Sequence, residues 1–175
     1  MNSFEPILYL EDDEKDVLLM TEAFSRLKLA NPLRSVPNVV LMIAYLKGYP
    51  PFECRLEYPL PRLLLLDLSM PGCPSLDFLK WVKNDPAHST LPVIILGSSR
   101  EESDIHRAYL LGASGYFIKP GNLDELVKIV KSIQKFWLSD PPSSGTFIDF
   151  AAVPVMASSS GRTADHSVAG QQSPF

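Results

Sequence analysis

Four leucines, Leu63 to Leu66, run straight into Asp67, with Ser69, Pro71 and Gly72 close behind. An apolar run without a polar face suits a strand buried on both sides of a parallel sheet. The carboxyl end of such a strand is where open α/β folds bind ligands. The pattern also occurs near the start of the chain, where Ile7-Leu8-Tyr9-Leu10 ends in Glu11, Asp12 and Asp13. A third run, Pro92 to Leu96, ends in Gly97-Ser98-Ser99, and a fourth, Gly115 to Ile118, ends in Lys119-Pro120. Singly, each has a plain structural use: Asp67 as a surface acid, Asp12 or Asp13 as a helix cap, Lys119 as a solvated strand end. Their coincidence at four strand ends argues for one shared site.

Several ionised carboxylates brought together repel one another, each close pair by an energy on the order of a few kcal/mol. A hard cation relieves that repulsion. Mg²⁺ takes carboxylate and carbonyl oxygens and completes an octahedron with water. On this reading Glu11, Asp12 and Asp67 supply carboxylates, the main-chain carbonyl of Ser69 adds a ligand, and Lys119 pairs with Asp67 or with an anion bound beside it. A carboxylate nucleophile, a divalent cation, a lysine and a loop of small hydroxyls suit phosphoryl transfer. A hydrolase with an aspartyl nucleophile shares these parts but usually carries a second Asp two residues on as general acid. Position 69 is Ser, so turnover as an enzyme is not expected.

The elements that must position these residues alternate. After the first strand, Val17, Met20, Phe24 and Leu27 recur at helical spacing, Asp13 can cap that helix, and Asn31-Pro32 stops it. A weak strand spans Leu33 to Val36. Val39 to Leu46 reads as a helix closing at Gly48, but it is apolar nearly all round, unlike an ordinary surface helix. Residues 49–61, with their prolines, form an extended loop into the central strand. Leu76, Leu79 and Val82 mark the next helix, Ser99-Arg100-Glu101-Glu102 matches a capping box for another, and Leu126, Val130, Ile133 and Trp137 stripe the last. The βαβαβαβαβα order implies an α/β fold: a doubly wound, five-stranded parallel sheet of order 2-1-3-4-5, with its crevice between strands 1 and 3.

Composition narrows the partners. The net charge is −4 over 175 residues, with no basic block to suit nucleic acid. No apolar run reaches membrane-spanning length, and the first residues lack the basic-then-apolar pattern of a signal peptide. Cys54 and Cys73 are too few for a disulfide framework or a metal cluster, in keeping with reduced thiols in the cytoplasm. From Ser139 on, Ser, Gly, Pro and Ala dominate and periodicity vanishes, so residues 1–138 form the domain and 139–175 a flexible low-complexity tail. Phe147 to Val155 is the apolar exception, and we expect it, or a partner, to cover the apolar helix at Val39 to Leu46.

Ile-Leu-Tyr-Leu-Glu-Asp-Asp, Leu-Leu-Asp-Leu-Ser-Met-Pro-Gly, Pro-Val-Ile-Ile-Leu and Gly-Ala-Ser-Gly-Tyr-Phe-Ile-Lys-Pro, in this order, resemble the receiver domain of two-component response regulators. The resemblance covers about residues 5 to 138. It is strongest to stand-alone receivers paired with phytochrome-like histidine kinases, which the Tyr-Pro-Leu-Pro before the central strand and the closing Phe-Trp-Leu also suggest. It implies a flavodoxin-like receiver fold in which Asp67 accepts a phosphoryl group from a kinase phosphohistidine. Glu11 and Asp12 would help hold Mg²⁺, Lys119 would contact the phosphoryl group, Tyr116 would be the aromatic switch, and the Lys119–Pro120 bond would be cis. Output would come through an unknown downstream protein or phosphorelay, and Phe136 and Trp137 suggest a homodimer through the last helices.

Two departures matter. The family usually has Thr or Ser at the end of strand 4, gripping the phosphoryl group, and here that residue is Gly97. Either Ser98 or Ser99 substitutes, or backbone N–H groups at Gly97 and Ser98 bind the anion; a lost charge-assisted hydrogen bond is worth ~1.5–3 kcal/mol. The alternative function is therefore an interaction module whose phospho-switching is weakened or lost. Pro74-Ser75 also replaces the family's usual Asp-Gly, which should reshape that loop more than its chemistry.

Overall fold

The computed structural model describes residues 5–70 and 75–139. Among the described residues five strands and five helices alternate: β1 (Ile7–Leu10), α1 (Glu14–Arg26), β2 (Leu33–Val36), α2 (Val39–Lys47), β3 (Leu63–Asp67), α3 (Ser75–Asn84), β4 (Val93–Gly97), α4 (Glu102–Leu110), β5 (Gly115–Ile118) and α5 (Leu123–Ile133). A π-helical turn, Gln134–Leu138, continues α5. The strands are all parallel, in the order β2-β1-β3-β4-β5. That is the expected doubly wound sheet, and β1 and β3 lie side by side with Leu10 opposite Leu66.

Side chains alternate across each strand, so the sheet divides the interior in two. Leu8, Leu10, Leu64, Leu66, Val93, Ile95 and Tyr116 face α2, α3 and α4. Ile7, Tyr9, Leu63, Leu65, Ile94, Leu96 and Phe117 face α1 and α5. Both faces are covered, which is why the strands read as unbroken apolar runs. The helices bury the residues their spacing marks: Met20, Ala23 and Phe24 in α1, Phe78, Leu79 and Val82 in α3, Leu126, Val130 and Ile133 in α5.

Helix α2 owes its apolar character partly to its own downstream loop. Phe52 and Tyr58 pack on Tyr45, with ring centroids 5.1 and 6.0 Å away, and the Tyr45 hydroxyl donates to Pro59 O at 3.0 Å. The Arg55 guanidinium donates to Tyr45 O at 2.8 Å and Leu46 O at 2.7 Å at the end of α2, and to Tyr58 O at 3.2 Å in the loop, tying the two together. Val40 remains exposed. Phe147 to Val155, expected to cover this helix, lies outside the described residues, as does the rest of the tail beyond Ser139. Trp137 turns inward onto Phe117, centroid to centroid 6.5 Å.

The capping box expected at Ser99 does not form. Helix α4 starts at Glu102 with Glu101 as its cap residue and no side-chain cap. Ser99 Oγ instead donates to Asp104 Oδ2 at 2.6 Å and accepts from Glu101 N at 3.2 Å, an ST-turn that competes with a cap.

Candidate functional site

The site is built at the carboxyl edge of the sheet by the alternation that sorts the core. Tyr9 faces α1 and α5, so Glu11, two residues on, turns the same way; the same step leads from Leu65 to Asp67 and from Phe117 to Lys119. Three distant segments thereby aim at one point. The Lys119 ammonium donates to Glu11 Oε2 at 2.6 Å and also bonds Asp67 and Asp16. Glu11 and Asp67 are buried, while Asp16 is partly open to solvent.

Each member is held by a further bond. Glu11 Oε2 accepts from the Tyr9 hydroxyl at 2.8 Å, and its Oε1 accepts from Asp13 N at 3.0 Å. Burial, then the charge of Glu11, push the Tyr9 phenol far above its ordinary pKa, so it stays a donor. Asp67 Oδ1 accepts from Ser69 N at 2.6 Å, and its main-chain oxygen from Ser75 Oγ at 3.0 Å. Burial works against the charge on Lys119, but hydrogen bonds to Asp16, Asp67 and Glu11 outweigh it, and its pKa is raised.

Glu11, Asp16 and Asp67 are, among the described residues, the acids able to ligate a metal together, with carboxylate oxygens within 4.8 Å of one another. An all-oxygen donor set with one solvent-facing member fits a hard, partly hydrated cation such as Mg²⁺. Asp12, expected in this set from the sequence, does not join it. Once Glu11 turns inward the next residue must turn outward, and Asp12 is exposed. Asp16, three residues past the cap Asp13 in the first turn of α1, stands in the group instead. The capped start of α1 hints that its first turn lies over the same edge, but which of its acids faces the site depends on the angle at which α1 leaves β1.

The remaining expected residues lie nearby. Ser69 sits in the turn after β3, where its N–H orients Asp67. Gly97 ends β4, and Ser98 lines a cleft of about 370 Å³ together with Leu68, Ser75, Arg107 and Tyr116. Tyr116 is buried, its hydroxyl donating to Ser99 O at 3.1 Å. Lys119–Pro120 is trans; the cis bond among the described residues is Pro50–Pro51. No described helix is long and apolar enough to cross a membrane.

A parallel 2-1-3-4-5 sheet with acids and a lysine gathered at its carboxyl edge defines a receiver, and residues 7–131 match the response regulator receiver domain: the chain belongs to that family. Among curated proteins it is similar to response regulator Rcp1 of Synechocystis sp., 31% identical over 132 residues, covering 75% of this chain and 88% of that one. Among solved structures it is similar to a response regulator in red light signaling of R. palustris, with TM-score 0.74, 30% identity and 81% and 100% of the two chains covered. It is also similar to the phosphorylated cyanobacterial phytochrome response regulator RcpA, with TM-score 0.69, 32% identity and 78% and 95% covered. Rcp1 itself has been solved in a Mn²⁺-bound form, at TM-score 0.68 and 30% identity, covering 79% of this chain and 97% of that one.

Proposed function

We propose that the chain is a phosphorylation-controlled signalling module in which Asp67 accepts a phosphoryl group from the phosphohistidine of a sensor kinase in the cytoplasm. The observation that carries this reading is the convergence of Glu11, Asp16 and Asp67 on the single ammonium of Lys119. A carboxylate oxygen of Asp67 bonds to phosphorus as the P–N bond of the phosphohistidine breaks, the electron pair returning to the imidazole. Ser69 N holds the carboxylate in aim, and Lys119 neutralises oxygens of the transferring group. Glu11, Asp16 and Asp67 would hold Mg²⁺, which supplies positive charge against the phosphoryl oxygens when bound. The main-chain carbonyl of Ser69 belongs to the same proposed set, and N–H groups at Gly97 and Ser98 would face the anion from the other side.

A phytochrome-like kinase is the partner this reading favours, because RcpA is named as a phytochrome response regulator and another similar protein acts in red light signaling. Residues 1–138 would carry the signalling and 139–175 would extend from it. A second reading, an interaction module with weakened switching, is favoured by one observation: Tyr116 fills the space beside Gly97 that a Thr or Ser side chain would need.

Incubation with Mg²⁺ and a small phosphodonor, followed by intact mass, tests the proposal. One acid-stable, base-labile phosphoryl adduct is expected in the native chain and none in Asp67→Asn. No adduct in the native chain refutes it, and continuous release of phosphate would point to a hydrolase.

A further inference from the structure

We infer that Gly97 locks Tyr116 in its buried position whatever the state of Asp67, so that the loop from β4 to α4 is set by this ring instead of by the phosphoryl group. The inference deepens, and its regulatory part rests on, the reading of Asp67 as phosphoacceptor.

Alternation puts Gly97 and Tyr116 on the same face of the sheet. Gly97 follows Val93 and Ile95 in step, and those residues and Tyr116 belong to the core under α2, α3 and α4. Asp67, Glu11 and Lys119 continue the opposite face. A Cβ at position 97 would overlap the Tyr116 hydroxyl oxygen and stand 2.6 Å from its Cζ and 3.3 Å from its Cε2. All three nearest atoms belong to that one ring, so even alanine excludes the observed rotamer. The ring is 2% exposed, and its hydroxyl donates to Ser99 O. Ser99 in turn bonds Asp104 and Glu101, at the start of α4. The chain of contacts thus runs from Gly97 through Tyr116 and Ser99 to α4, and none of its links involves Asp67.

Position 97 therefore acts on the loop by what it lacks. With no side chain there, no hydroxyl moves toward an anion at Asp67, and the space such a movement would vacate is already filled. The surface around α4 and β5 should look the same before and after phosphorylation, so output that depends on Asp67 leaves by another surface.

The test uses the full chain labelled with 3-fluorotyrosine and read by ¹⁹F NMR, the Tyr116 signal assigned by its loss in Tyr116→Phe. Shielding is measured with a soluble paramagnetic chelate, with and without Mg²⁺ and beryllofluoride, whose own bound ¹⁹F signal reports occupancy at Asp67. In the native chain the Tyr116 signal is expected to stay shielded and unshifted in both conditions. In Gly97→Ser its relaxation is expected to rise toward that of exposed Tyr49. A native signal that shifts or gains relaxation when beryllofluoride binds overturns the inference, as does a Tyr116 still shielded in Gly97→Ser. Absence of a bound beryllofluoride signal counts against the phosphoacceptor reading and its regulatory consequence, while the Gly97→Ser comparison still decides the steric lock. Should Gly97→Ser fail to fold, Gly97→Ser/Tyr116→Ala is expected to fold, because the overlap is with that ring; failure of both overturns it.

Discussion

Replacing Lys119 with methionine keeps the length of the stem and removes the one ammonium that three carboxylates share. Their oxygens lie within 4.8 Å of one another, so each ionised pair repels by at least about 3.5 kcal/mol at an effective dielectric near 20. Summed over the cluster this rivals the whole stability of a domain, roughly 5–15 kcal/mol, so the cluster cannot stay closed and fully charged. The realised loss should be about 3–5 kcal/mol, the range for stripping one partner from a buried ionic group. Urea denaturation followed by circular dichroism in chelator measures it, and added Mg²⁺ should restore part of it by substituting for the lost charge. The pH dependence has a definite sign. The folded pKa of Lys119 lies above its ordinary 10.5, so the stability it contributes is complete below that value and drains as pH rises beyond it. The gap between native and Lys119→Met chains should therefore hold from neutral pH to about pH 10 and then shrink. Equal stabilities in chelator, or no response of the variant to Mg²⁺, would refute the electrostatic account of this site.

Tyr9→Phe removes a buried donor to Glu11 and should cost about 1.5–3 kcal/mol by urea titration. Arg55→Ala removes three guanidinium hydrogen bonds, two to carbonyls at the end of α2 and one in the loop, and should cost about 1.5–3 kcal/mol; Arg55→Lys should recover little, since one ammonium cannot reproduce the planar fork. Lys47 and then His88 hold the Asp85 carboxyl down from 3.8 to about 2, with hydrogen bonds of 2.7 and 2.5 Å. Because the folded value is the lower one, that contribution is present above about pH 4 and lost as pH falls toward 2. Urea midpoints of the native and Asp85→Asn chains should converge across that interval, and a constant gap would contradict the ion pair.

The order of strands was legible because both faces are covered, which leaves runs such as Leu63–Leu66 with no polar interruption. Glu11, Asp67 and Lys119 were legible because each directly ends or follows such a run. Asp12 and Asp16 mark where this logic stopped. Adjacency to a strand end says that a residue is near the edge, but the inward turn of Glu11 decides that Asp12 faces water. Asp16 looks like one more polar residue on an amphipathic helix until the angle at which α1 leaves β1 is known. Ser99 followed by acids read as a capping box, yet Asp104 offered its hydroxyl a better acceptor. Gly97 was visible as a missing hydroxyl; that a tyrosine from the next strand fills its space is a tertiary fact with no local trace.

The sheet is also a partition wall. Leu64 and Leu65 are neighbours in the chain, yet each is sealed into a different compartment, one under α2, α3 and α4, the other under α1 and α5. Truncating both should therefore cost close to the arithmetic total of the two single changes, whereas Leu64 and Leu66, further apart in sequence, share a compartment and should interfere. Side-chain changes on one face of the sheet reach the other only through the strands' shared backbone.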